Sequence, residues 1–207
     1  MDVTIIGTGN MARGIGTRLV AGGHTVTVLG TEQSKTEELA TELGTGTTAG
    51  AVGDPLSGDV VVLALWYGVA RQVAAQYGAQ LDGKIVVDIT NPIDLETFEP
   101  IVPDAGSGAE EVAAASPGAK VVKAFNTTFA GTLASGGVSG QQLDVLLASD
   151  DEEAKETIAS LVESAGLRAV DAGPLRRARQ LEGLGYLHMA VQEGLGTGYG
   201  SAVKLIS

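Results

Sequence analysis

The chain has 207 residues, and its 13 basic and 25 acidic side chains give a net charge of −12. With 44% apolar and 18% charged residues, the composition is typical of a globular protein that buries a core, which excludes an intrinsically disordered chain. The absence of cysteine excludes disulfides, thiolate nucleophiles and cysteine-ligated zinc or iron–sulfur sites, and the negative charge disfavours nucleic acid as a partner.

Short apolar runs alternate with helical patterns along the chain. A β-branched run at 3–6, ended by glycine, predicts a buried strand, and apolar residues at helical spacing follow it from Asn10 to Val20. The further predicted elements are, in chain order, strand 25–29, helix 35–43, strand 59–65, helix 69–81, strands 84–89, 120–125 and 144–148, helix 151–165, strand 168–170 and a helix from Pro174 to about Val191. This order predicts crossover connections and therefore an α/β protein whose parallel sheet is covered by helices on both faces. We expect one domain over residues 1–207.

Two absences suggest where the protein works. No apolar run approaches the ~20 residues of a membrane span, and no basic segment precedes an apolar stretch near Met1. We therefore expect a cytoplasmic protein without membrane contact. The two histidines, His24 and His188, do not have a metal-binding spacing, so we expect no metal site.

The glycine-rich turn at residues 7–12 is the most informative segment. It matches G-x-G-x-x-A between the first strand and the first helix. In such a turn Gly7 forms the bend, Gly9 lets the backbone approach a pyrophosphate, and Ala12 lets helix and strand pack closely. The free amides of the helix start then face the phosphates. The turn predicts dinucleotide binding; the alternative is an ordinary tight turn.

The residues after the second strand leave the identity of the dinucleotide open. Glu32 lies where an acid bonds the ribose 2′-hydroxyl of NAD, although it lies beyond the strand end. Thr31, Ser34 and Lys35 have the hydroxyls and the ammonium that would hold the 2′-phosphate of NADP, which Glu32 would repel. Both cofactors remain candidates at this point.

Four stretches together resemble one family. They are residues 7–12, 83–92 (GKIVVDITNP), 121–126 (VVKAFN) and 170–175 (VDAGPL). With them the chain resembles the NADP oxidoreductases that depend on coenzyme F420, and it is similar to the cytosolic reductase domain of the six-transmembrane ferric reductases. The resemblance implies a Rossmann-type, doubly wound, mainly parallel sheet with a short C-terminal helical extension at about 175–207. It also implies hydride exchange between NADPH and a flavin or a deazaflavin such as coenzyme F420.

The resemblance also implies which residues bind the cofactor. Thr8, Asn10 and Met11 would lie against the pyrophosphate, and Thr31 and Lys35 near the 2′-phosphate. The others follow three strands: Leu65, Trp66 and Tyr67 would flank the path from adenosine to nicotinamide, and Asn91, Pro92, Ala124, Phe125 and Asn126 would surround the nicotinamide. Relatives commonly carry arginine where this chain has Glu32, which leaves NADP preference open.

The residues support the same reaction type independently. Asn91 and Asn126 each follow a predicted parallel strand, and ligands of such sheets bind outside the carboxyl ends of the strands. Direct hydride transfer between stacked rings needs positioning and exclusion of water more than an acid–base pair. We accordingly assign no catalytic side chain. An NAD(P)H-dependent reduction of a small organic substrate without flavin and a non-catalytic module that senses NADPH are the alternatives.

The remaining polar candidates have two interpretations each. His24 and His188 are expected to be packing residues, with a switch or proton-donor role as the alternative. A basic cluster at Arg176, Arg177 and Arg179 either pairs with acidic neighbours or captures an anionic tail of the acceptor. The apolar C-terminal helix would pack on its own sheet or on a second subunit, and we expect a homodimer.

Overall fold

Alternating strands and helices build an eight-stranded sheet in the computed structural model, which describes residues 1–206. The first half of the chain comprises β1 Asp2–Ile6, α1 Asn10–Ala21, β2 Thr25–Gly30, α2 Gln33–Leu43, β3 Thr47–Ala51, β4 Val60–Leu63, α3 Tyr67–Tyr77 and β5 Ile85–Asp88. The second half comprises α4 Gly108–Ala115, β6 Lys120–Lys123, α5 Ala130–Ser135, β7 Gly137–Val138, β8 Gln141–Gln142, β9 Asp144–Ala148, α6 Glu152–Ser164, β10 Arg168–Gly173, α7 Ala178–Ala190 and α8 Gln192–Leu195. Short 3-10 turns at Gly78–Leu81 and Leu175–Arg177 follow α3 and precede α7.

The strands are ordered β10-β9-β6-β5-β4-β1-β2-β3. The first strand, β1, therefore lies inside the sheet, and the later strands are added on both sides of it. The six strands β1 to β6 are parallel to one another. Strands β9 and β10 are parallel to each other and join β6 through one antiparallel pair, Lys123 with Ala148. The prediction of a doubly wound, mainly parallel Rossmann-type sheet is therefore confirmed.

Apolar strands explain why helices cover both faces of the sheet. Strands β4 and β5 are completely buried, and their side chains alternate between two cores. One core packs against α1, α2, α5 and α6, and the other against α3 and α4. Full burial of a valine, leucine or isoleucine contributes about 1.5–3 kcal/mol relative to exposure, so these two cores are the main source of stability.

Several predicted boundaries were wrong. The predicted strand 59–65 ends at Leu63, and the predicted strand 120–125 ends at Lys123. Phe125 has a φ of +61°, which no strand residue adopts, so the chain turns away from the sheet there. Strand β3, helices α4 and α5 and the β7–β8 hairpin were not predicted. The C-terminal extension is helical as expected, but α7 begins at Ala178 after a 3-10 turn rather than at Pro174.

Among residues 1–206, no helix has both the length and the apolar character needed to cross a bilayer.

Candidate functional site

The turn after β1 contains two glycines, and the fold requires glycine at only one of the two positions. Gly7 has a φ of +127°, and a Cβ there would lie 2.3 Å from the carbonyl oxygen of Ala64, so only glycine fits. Gly9 has a φ of −80°, which any residue adopts, and no atom lies within 4 Å of where its Cβ would be. The fold itself therefore does not require glycine at position 9. The open space beside this backbone fits a ligand that must approach it closely.

Helix α1 begins at this open space without a side-chain cap. Gly9 is the N-cap residue, and no side chain among residues 1–206 accepts from the first-turn amides, which carry the positive end of the helix dipole. Ala12 is completely buried against the sheet, as predicted, and Met11 is half-buried beside the same core. Thr8 is half-buried, and the amide oxygen of Asn10 accepts from Arg13 at 3.1 Å. The turn fits a pyrophosphate.

A cavity of about 460 Å³ lies at the carboxyl ends of β2 and β3. Thr31, Gln33, Glu37 and Asp54 are among its lining residues. Lys35 does not line the cavity; its ammonium lies 2.7 Å from Glu32, and both side chains are exposed. The pocket thus has hydroxyl and amide groups for an adenosine, but its nearest ammonium is paired with a carboxylate.

Leu65 and Trp66 lie in the connection between β4 and α3, and Tyr67 is the first residue of α3; the three side chains have different environments. Leu65 is half-buried, and Trp66 is 62% exposed at the N-cap of α3. The hydroxyl of Tyr67 donates to Glu111 at 2.8 Å, and burial together with this bond raises the pKa of Tyr67 to about 12. Tyr67 thus packs toward α4, and Trp66 is the exposed aromatic residue at the start of α3.

Asn91 and Asn126, both expected around the nicotinamide, are in direct contact with each other. The side-chain amide of Asn126 donates to the Asn91 side-chain oxygen at 2.9 Å, and the Asn91 amide donates to the backbone carbonyl of Asn126 at 2.9 Å. Asn126 also donates to the carbonyl of Leu181 at 2.8 Å. A Cβ on Gly185 would lie 2.7 Å from the Asn91 side-chain oxygen, so α7 covers this pair with a glycine.

The other residues predicted around the nicotinamide are buried. Pro92, Ala124 and Phe125 expose little side chain, so a ligand there would meet backbone rather than side chains. Phe125 holds a left-handed backbone, a conformation that costs roughly 1–2 kcal/mol for residues other than glycine. The Asn126 side-chain oxygen is buried without a hydrogen-bond partner among residues 1–206.

The loop that follows Pro92 is pinned at its base and exposes apolar side chains. The amide of Ile101 donates to the carbonyl of Pro92 at 2.9 Å, and Ile93 and Pro100 form a bridge above it. The exposed apolar side chains of this acceptor loop, residues 93–103, are Leu95, Phe98, Ile101 and Val102. The loop therefore places an apolar surface next to Asn91.

Sequence reasoning missed a buried charged cluster next to the Asn91–Asn126 pair. Lys123 is completely buried, and its ammonium lies 2.7 Å from Asp88 and 2.7 Å from Glu182. Burial raises the pKa of Glu182, against the attraction of Lys123. The signal for Lys123 was a lysine inside an otherwise apolar strand, whereas nothing near Glu182 in sequence indicates its partner.

The histidines and arginines have structural contacts. His24 lies 2.7 Å from the hydroxyl of Ser164, and His188 donates from Nδ1 to the carbonyl of Thr127 at 3.2 Å. Burial lowers the pKa of both histidines. Arg179 lies 3.9 Å from Glu110 at the start of α7, and Arg176 and Arg177 form the preceding 3-10 turn. No group of three or more histidine, aspartate or glutamate side chains in residues 1–206 is arranged to hold a metal ion.

Known proteins are similar to this chain in sequence and fold. Residues 2–92 match the model of the family described as NADP oxidoreductase coenzyme F420-dependent. The F420-dependent NADP reductase of Methanocaldococcus jannaschii is 30% identical over 200 residues, which covers 89% of each chain. The metalloreductase STEAP3 of Rattus norvegicus is 34% identical over 88% of this chain, although the chain spans only 36% of that protein's length. A solved structure from Arthrobacter sp. FB24, provisionally described as an F420-dependent NADP reductase, is 27% identical with a TM-score of 0.87 over 99% of both chains.

Proposed function

The chain belongs to the family of coenzyme F420-dependent NADP oxidoreductases, and from that premise we propose that it transfers a hydride between NADPH and a flavin or deazaflavin ring. It is an oxidoreductase of this family. The observation that carries the proposal is the open space at Gly9, directly below the uncapped start of α1. A glycine that the fold does not need is explained by a pyrophosphate that must approach its backbone.

Different residues around this space would bind different parts of the cofactor. The backbone at Thr8, Asn10 and Met11 would bind the pyrophosphate, and Ala12 keeps the helix close to the sheet. Thr31 and Lys35 would hold the adenosine 2′-phosphate. Lys35 would then leave its ion pair with Glu32 and bind the phosphate instead. Asn91 and Asn126 would orient the carboxamide of the nicotinamide ring, which when bound supplies the hydride.

The acceptor loop supports a ring-shaped second substrate. Its leucine, phenylalanine, isoleucine and valine side chains are exposed, and its backbone is bonded to Pro92 next to Asn91, so an apolar ring that stacks on the nicotinamide would find an apolar surface here. Hydride transfer between stacked rings needs positioning and exclusion of water rather than an acid–base pair. The loop excludes water from the transfer when a ring covers it.

A second copy of the chain would cover the exposed face of the C-terminal helices. Leu187, Val191 and Leu195 recur on one face of α7 and α8 and are 57%, 41% and 55% exposed. The opposite face of α7 covers Asn91 and Asn126. A homodimer through the exposed face would hold α7 over the site from outside.

Calorimetric titration with NADPH, NADP, NADH and NAD tests the cofactor part of the proposal. NADPH oxidation is then followed by absorbance with riboflavin, FMN and coenzyme F420 as separate acceptors. Bleaching of the nicotinamide band by a flavin or deazaflavin supports the proposal. Turnover only with small carbonyl or imine substrates would favour the flavin-free reductase, and binding without any turnover would favour the sensor. A Gly9→Val variant is the control for site-specific turnover.

A further inference from the structure

All three donors of one buried lysine are used at the base of the site. The Lys123 ammonium donates to Asp88, to Glu182 and to the backbone carbonyl of Thr90. The side chain is 0% exposed. Removing charges from water carries a large desolvation penalty, and buried ion pairs often stabilise a fold no more than apolar side chains of the same size. Stability alone therefore does not explain this cluster.

The positions of the three charged residues follow one rule. Asp88 precedes Asn91 by three residues, Lys123 precedes Asn126 by three, and Glu182 precedes Gly185 by three. Asn91, Asn126 and Gly185 are the groups that meet at the carboxyl end of β5 and β6. The ammonium thus joins the three segments, β5, β6 and α7, directly before each contributes its residue to the site.

The contacts that depend on this junction leave little room for movement. A Cβ on Gly185 would lie 2.8 Å from the carbonyl oxygen of Asn126 and 2.7 Å from the side-chain oxygen of Asn91. Glu182 also accepts from the backbone amides of Gly108 and Ala109, at 3.1 and 3.3 Å, which fixes α4 to the same carboxylate. A shift of α7 would therefore separate the two asparagines or press Gly185 into them.

We propose that Lys123 is a positioning residue for the nicotinamide half of the cofactor, which it serves by holding Asn91, Asn126 and Gly185 at a fixed separation through Asp88 and Glu182. The inference rests on the proposed function for the identity of the ligand. It concerns only the nicotinamide half, because the pyrophosphate turn and the adenosine cavity lie on β1, β2 and β3.

The test compares the complete cofactor with a fragment. Glu182→Gln keeps the shape of the side chain but weakens its bond to Lys123, and Lys123→Met keeps the length without the charge. Each variant is titrated with NADPH and with 2′,5′-ADP, which contains the adenosine and its 2′-phosphate but no nicotinamide. We expect roughly tenfold weaker binding of NADPH and unchanged binding of 2′,5′-ADP. If both affinities fall equally, or neither changes, the positioning role is overturned.

Lys155→Met is the matched control. Lys155 is also a buried lysine, 2.8 Å from Glu152 and 3.2 Å from Asp171, but it lies on α6 away from the site. Its loss is expected to lower the unfolding temperature and leave the ratio of the two affinities unchanged. If Lys123→Met does not fold, Glu182→Gln decides the question alone. If the wild-type protein binds neither NADPH nor 2′,5′-ADP, the proposed function is overturned as well. If the wild type binds both and the variants change the two affinities equally or not at all, only the positioning role is overturned.

Discussion

Glu32 accepts a hydrogen bond from Lys35 across one turn of α2, with 2.7 Å between the carboxylate oxygen and the ammonium. Their side chains are 60% and 59% exposed, and exposed pairs of this kind contribute about 0–1 kcal/mol. A phosphate dianion can therefore take Lys35 away from Glu32. The carboxylate nevertheless remains nearby as a like charge, so we expect any preference of the adenosine end for NADPH over NADH to be weak.

Glu32→Arg is expected to shift cofactor preference toward NADPH. The substitution removes the repelling carboxylate, frees Lys35 and adds a guanidinium that binds phosphate in a bidentate manner. The ratio of NADH to NADPH dissociation constants should rise roughly tenfold or more, measured by calorimetry. Glu42→Arg, the same change of charge at the other end of α2, should leave the ratio unaltered. A shift toward NADH would show that the adenosine end has been placed wrongly.

Gly9→Val is expected to abolish tight dinucleotide binding while the fold survives. The valine has open space and a permitted backbone, so it fills only the position that the phosphates need. Thermal unfolding should stay near that of the wild type while calorimetry detects binding at least roughly tenfold weaker.

Gly7→Val provides the contrast, since its Cβ would meet the Ala64 carbonyl in a left-handed turn. It should unfold the protein. Unchanged affinity in Gly9→Val would exclude the turn as a phosphate site.

Tyr67 is expected to stabilise the fold up to high pH. Burial and the hydrogen bond to Glu111 raise its pKa from 10.0 to about 12, so the folded state favours the neutral hydroxyl. A raised pKa of this kind gives stability that is present below pH 10 and is lost as the pH rises toward 12. Ultraviolet titration of tyrosinate should show a late step that Tyr67→Phe removes and Tyr186→Phe keeps. The absence of that late step in the wild type contradicts the prediction.

Acidification is expected to weaken the anchoring of the C-terminal tail at His188. Burial lowers the pKa of His188, whose Nε2 lies 2.9 Å from the hydroxyl of Ser201 in the C-terminal tail, and the ring stacks on Phe129 with centroids 4.2 Å apart. A lowered histidine pKa gives stability that is present above the unfolded value of about 6.5 and is lost as the pH falls through the folded value. The urea midpoint should drop between neutral pH and about pH 5. His188→Phe should reduce this drop, and His24→Gln should leave the contribution of His188 in place; an equal drop in His188→Phe and wild type would refute the prediction.

Leu195→Glu is expected to separate the proposed homodimer. The side chain is 55% exposed on the apolar face of α7 and α8, where a charge would oppose burial against a second copy. Sedimentation should give twice the 20.9 kDa chain mass for the wild type and the single mass for the variant. Val102→Glu, on the acceptor loop, should stay dimeric. A monomeric wild type would remove the dimer from the proposed function.

The pairing of Asn91 with Asn126 could be predicted because it follows from strand order alone. Both residues follow neighbouring parallel strands, whose carboxyl ends meet at one edge of a sheet. Strand β3 was missed because Thr47–Ala51 has no apolar run and lies at the edge of the sheet. Glu182 was missed because its partner Lys123 is 59 residues away, and local periodicity carries no information about such a contact.

The contact between Lys123 and Glu182 also orders events during synthesis. A ribosome synthesises β5 and β6 well before α7, so Asp88 and the carbonyl of Thr90 are available to Lys123 before its second carboxylate is. A nascent chain that does not yet contain α7 therefore lacks the helix that covers Asn91 and Asn126.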